Sequence, residues 1–176
     1  MPLNRDNIIM IVAAVIMTVL QAMLAPYIAI QYAMPNFMAA YAVAVSVVRP
    51  NSTRMVILSF AMGVLYNLLF GGPLGAMAVA LIFVCLIAGK LMTMMSGETS
   101  VVPLGIVVIG LLATHLIYGF LVSIGTGLSP LDSMLLRAIP CFAYDAVVGL
   151  ILYFIMSRLA AEPDKSSPIG GPTLLR

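Results

Sequence analysis

The 176-residue chain is 63% hydrophobic and 8% charged, with a net charge of +2 and a mean hydropathy of +1.17. Soluble domains carry about 25% charged residues, so this chain cannot cover a globular surface in water and its solvent is lipid. So small a charge without a basic run excludes nucleic acid as a partner, and Cys85 and Cys141 lie in apolar runs without metal-ligand spacing, as small hydrophobes do.

Arg5 followed by the apolar run 8–20 has the first two parts of a secretory signal. Residues 21–26 lack a clear Ala-x-Ala site, so the segment reads as a retained first membrane helix. A span takes about 20 mainly apolar residues, and six are expected, over 8–24, 36–48, 55–70, 74–95, 101–124 and 140–159. The second is short because Pro26 and Pro35-Asn36 punctuate the chain before it; residues 27–34 read as an interfacial or re-entrant piece. Residues 49–54 form a polar loop.

The third and fourth helices flank Phe70-Gly71-Gly72-Pro73-Leu74-Gly75, which is dense in residues that break helices and permit unusual backbone angles. Two apolar arms ending so abruptly make a membrane hairpin. Gly71, Gly72, Pro73 and Gly75 chiefly let the helices reverse; the alternative use is a docking point for a partner. Polar loops follow at 96–100 and 125–130. Residues 131–139, with Asp132 and Arg137 among apolar neighbours, suit an amphipathic interfacial turn. Pro140 is acceptable in a first helical turn.

The expected architecture is therefore an all-α integral membrane protein, with six transmembrane helices in one bundle over residues 1–160 and a flexible cytoplasmic tail over 161–176. With the N-terminus inside, six spans put Arg5, Arg49, Arg54, Lys90, Arg158, Lys165 and Arg176 on the cytoplasmic side and only Arg137 outside. Both termini are then cytoplasmic. Small residues four apart (Ala40/Ala44, Ala42/Ser46, Ala76/Ala80) mark either close helix packing or the ordinary abundance of alanine in membrane helices.

Few polar groups interrupt the spans. Asp145 lies roughly 7 Å from the outer end of the last helix at 1.5 Å per residue, where an unpaired carboxylate would be costly. His115 and Asn67 fall in the same outer half. Asn67, His115 and Asp145 are therefore read as an intramembrane polar cluster. It is either a hydrogen-bonded knot between helices, the favoured reading, or a ligand or proton site. No nucleophile–base–orienter set, phosphate loop or metal-spaced cluster is present. No catalytic residue, cofactor or metal is expected, and the chain does not read as an enzyme.

The stretch Gly63-Val64-Leu65-Tyr66-Asn67-Leu68-Leu69-Phe70-Gly71-Gly72-Pro73-Leu74-Gly75, continuing to Ala88-Gly89-Lys90-Leu91, resembles the signature of the MreD family of bacterial rod shape-determining membrane proteins. Pro35-Asn36-Phe37, Arg49-Pro50 and the last span from Pro140 to Arg158 are similar to its other segments, so the resemblance covers residues 8–160. It implies a non-enzymatic scaffold in the bacterial cytoplasmic membrane. The implied partners are an MreC-like bitopic protein and the elongation machinery of MreB, RodA and its transpeptidase, in support of side-wall peptidoglycan synthesis. It also implies a fold similar to the substrate-binding components of energy-coupling-factor transporters. Such a component, for a vitamin or metal, is the competing function. The family often has Asp at the position of Asn67 and Asn at that of Asp145. An exchanged carboxylate would have these two side chains in contact.

Overall fold

Apolar sequence without a polar face leaves a helix two environments, the bundle core or lipid, and this chain uses both. The computed structural model describes residues 5–30, 33–50, 52–95, 101–126, 129, 131 and 139–161. They form six helices: α1 Arg5–Met23, α2 Phe37–Val48, α3 Thr53–Phe70, α4 Ala76–Met95, α5 Val101–Thr126 and α6 Ile139–Ala161. The expected loop at 96–100, the amphipathic turn with Asp132 and Arg137, and the tail beyond Ala161 lie outside the described residues. Residue 161, read as the start of that tail, belongs instead to α6. Likewise α1 starts at Arg5, three residues before its apolar run.

α2 is the axis of the bundle. Residues 37–47 are all buried, and α2 packs against each of the other five helices. Its alanines at 40, 42 and 44 are inaccessible, so the small-residue spacing serves close packing here. α1 lies at the edge, against α2 and α3, and exposes Ile8, Ile11, Val12, Val15, Ile16 and Val19. The remaining helices pack in sequence, α3 on α4, α4 on α5 and α5 on α6. The Tyr41 hydroxyl donates to the Met10 carbonyl at 2.8 Å and Arg54 to the Asn7 side chain at 2.6 Å, which pins α1 to its two neighbours.

Four helices, α3 to α6, are long and apolar enough to cross a membrane. α1 has a shorter apolar run and α2 has only 12 residues, a rise of about 18 Å against a hydrocarbon thickness of about 30 Å. The chain reaches α2 through a turn after α1 and a paired bridge in which Ile30 and Ala33 exchange N–H···O bonds of 2.9 Å. Tyr27 and Ile30 are exposed, whereas Ala33, Pro35 and Asn36 are buried. Residues 33–36 thus run inward as non-helical backbone, which membrane depth tolerates only where protein surrounds it.

The α3–α4 hairpin depends on glycine in two ways. Gly71, Gly72 and Gly75 have φ of 75°, 97° and 87°, left-handed backbone that side chains disfavour, so the reversal itself uses these three. Gly63 in α3 lies against the backbone of Met77 and Ala78 in α4, where an added Cβ would overlap main-chain atoms. Gly105 in α5 faces open space. Gly63→Ala should therefore separate α3 from α4 and cost about 1–3 kcal/mol, read as a lower melting temperature in mild detergent. Gly105→Ala should leave melting unchanged or raise it.

Candidate functional site

A helix begins with N–H groups that no intrahelical carbonyl can accept. α2 begins deep in the bundle, where water does not serve. The structure meets this need with side chains from three elements. Asn36 caps its own helix, its Oδ1 accepting from the Ala39 N–H at 2.9 Å, as asparagine does well at this position. Gln21 of α1 accepts from the Phe37 N–H at 2.7 Å through Oε1 and donates to the Pro35 carbonyl at 3.0 Å. Asp145 of α6 accepts from the Asn36 N–H at 2.6 Å through Oδ1. Its other oxygen, Oδ2, lies 2.7 Å from Nε2 of His115 on α5. Asp145, Gln21 and Asn36 are at most 1% exposed, and His115 is 7% exposed.

A carboxylate at the positive end of a helix is favourably placed by the peptide dipoles, more so where little solvent screens it. Asp145 sits six residues into α6, about 9 Å along its axis. The Pro35-Asn36 entry brings the start of α2 to that depth. Gly149 of α6 lies close to Leu111 and Val107 of α5, which lets the two helices approach and the His115–Asp145 bond close.

The second polar bracket lies at the α3–α4 turn. Asn67 Oδ1 accepts from the Met77 N–H at 2.9 Å, and its Nδ2 reaches the Gly71 carbonyl at 3.4 Å. Its own carbonyl accepts from the Gly71 N–H at 3.0 Å. Asn67 therefore caps the start of α4 across the turn. The Gly72 backbone lies beside the Tyr118 hydroxyl of α5, and Tyr66 packs edge-on against the Tyr118 ring at 6.0 Å. The brackets meet where Asn36 Nδ2 approaches the Met77 sulfur at 4.0 Å.

Of the three residues singled out in the sequence, His115 and Asp145 are thus bonded to each other. Asn67 is not part of that pair. Its amide is committed to Gly71 and Met77, and the hydrogen-bonded path from it to Asp145 runs through Met77 and Asn36, with no direct hydrogen bond between the two. The residues missed were Gln21 and Asn36. Their signals were a lone amide in an apolar helix and a strong N-cap type directly after a proline.

Chemically the arrangement is a satisfied cap. Both carboxylate oxygens of Asp145 are engaged, one of them by a backbone amide that cannot pass on a proton. Among the described residues, every buried side-chain nitrogen and oxygen has a hydrogen-bond partner, and no three His, Cys, Asp or Glu side chains converge as a metal site would require. Replacing Asp145 by leucine orphans the Asn36 N–H and His115, at about 1–3 kcal/mol for each group. Asp145→Leu should stay membrane-inserted but lose that stability in detergent unfolding. Asp145→Asn, which can still accept from one and donate to the other, should lose less. Gln21→Leu should fall nearer the leucine variant.

Set beside known proteins, the chain matches a family model described as rod shape-determining protein MreD over residues 4–162. No curated protein and no solved structure gives a significant match.

Proposed function

The chain belongs to the MreD family and is a rod shape-determining membrane protein, and from that premise we propose that it acts as a non-enzymatic scaffold of the bacterial elongation machinery. In this reading it pairs with an MreC-like bitopic protein and, with MreB, RodA and its transpeptidase, supports side-wall peptidoglycan synthesis. The observation that carries it is the state of the buried polar groups. Gln21, Asn36, Asn67, His115 and Asp145 all bond to one another or to backbone. They hold helices in place, which suits a protein that acts through the outer faces of a rigid bundle. A solute carrier would direct such groups into a binding cavity.

The proposed placement is the bacterial cytoplasmic membrane, with six crossings. The short α2 fits a crossing when its inward lead is included. Four residues of non-helical chain span at most about 13 Å, and with about 18 Å of helix the sum matches a hydrocarbon core of about 30 Å. An even number of crossings and the lysine and arginine placement put both termini in the cytoplasm.

Affinity purification of the tagged protein from its own membranes should recover a bitopic coiled-coil protein and cell-wall synthases. Recovery of ATPases with a coupling membrane subunit would replace the scaffold by a transporter component. Fusions at the C-terminus should be fluorescent with a cytoplasmic reporter and inactive with alkaline phosphatase; the reverse pattern would overturn the orientation.

A further inference from the structure

A cavity of about 330 Å³ opens between the C-terminal end of α2, the first turn of α3 and the middle of α4. Its lining is divided by chemistry. Arg49, Ser52 and Thr53 supply a guanidinium and two hydroxyls at the end nearer the α2–α3 loop, and Val56, Ile82 and Leu86 supply an apolar wall. We infer that this cavity receives the headgroup of an anionic phospholipid. The inference rests on the chain lying in a bilayer and not on which machinery it serves.

The polar end suits a phosphate. Arg49 brings a planar guanidinium, whose fork geometry matches phosphate oxygens, into the lining. Ser52 occupies the N-cap of α3 but makes no capping bond to it, so its hydroxyl and the positive end of that helix both face the cavity with capacity to spare. Position 90 continues the line of Ile82 and Leu86 at helical spacing of four, which puts the exposed Lys90 one turn beyond the wall on the same face of α4. One cation therefore lines the cavity and a second lies one turn beyond its α4 wall.

The apolar end distinguishes a lipid from a soluble anion. Leu86 lines the cavity and is itself exposed, and the exposed Phe60 lies one turn beyond Val56 on the same face of α3. These give an acyl chain apolar surface next to the cavity. The volume holds a headgroup and the first methylenes but not a whole lipid, so the chains must lie along this outer face. Basic pockets between spanning helices near the membrane surface are a recurrent form of headgroup site.

The test uses the full-length protein in mild detergent, offered equimolar dioleoylphosphatidylglycerol and dioleoylphosphatidylcholine and read by native mass spectrometry. We expect at least threefold more phosphatidylglycerol than phosphatidylcholine retained, and a ratio near one in Arg49→Gln. Ser52→Asp is the second variant: aspartate caps a helix as well as serine does while placing a negative charge in the cavity, so it should abolish the preference without lowering the melting temperature. Thr53 lines the cavity and is exposed, whereas Cys85 is buried, so a Thr53→Cys variant reports on the cavity directly. In a Cys141→Ser background its maleimide labelling should slow at least threefold with phosphatidylglycerol over phosphatidylcholine. A wild-type ratio near one overturns the inference, and a preference that survives both variants overturns this location. Equal protection of the introduced thiol by sn-glycerol 3-phosphate alone would make the ligand a soluble anion and not a lipid.

Discussion

An amide N–H without an acceptor is tolerable in water and expensive in hydrocarbon, by several kcal/mol for each group. This constraint governs the start of α2. The helix has no length to spare, begins inside the bundle, and exposes three donors there that Asn36, Gln21 and Asp145 accept. Each acceptor comes from a different part of the chain, so capping one helix fixes the relative positions of α1, α2 and α6, and His115 extends the constraint to α5. The cap thus sets the register at which these four helices meet.

The rest of the packing follows from side chains that are small where backbones must come together. With no hydrophobic drive between helices in lipid, close contact supplies the attraction. The alanines of α2 allow five neighbours around one short helix, Gly63 lets α3 touch α4, and Gly149 lets α6 approach α5. Asn67 then fixes the turn between α3 and α4, and Met77 joins that turn to the cap through Asn36. The polar brackets set register while the small residues set distance.

Much of this was legible in the sequence. The helices were visible because apolar runs of membrane length end at proline, glycine or charge, and because Gly71, Gly72 and Gly75 sit where the backbone must turn left-handed. Asp145 and His115 were visible as polar residues with no place in lipid. Their bonding partner was not. The Asn36 N–H is a backbone group, which no residue type announces, and it lies 109 positions from Asp145. Gln21 does not stand out, because one amide in an apolar helix looks the same whether it caps another helix or faces a loop. Asn67 lies at the C-terminal end of α3, as its position beside the glycine turn indicates, and its bonds are made within that turn. Its side chain is short, and a turn that leaves Met77 ten positions away offers it a nearer unsatisfied donor.

The separation between Asn36 and Asp145 also has a meaning in time. At a synthesis rate of about 5–20 residues per second, roughly 5–20 s pass between the emergence of α2 and that of the residue that completes its cap. Gln21 precedes Phe37 by 16 positions and Asn36 is the cap residue itself, so both are present from the outset and only the Asn36 N–H waits for its acceptor during that interval. Until α6 is made, the start of α2 is held to α1 through Gln21 but lacks the acceptor for its first N–H. The carboxylate that ties α2 to α5 and α6 is thus the last of the three acceptors to be synthesised.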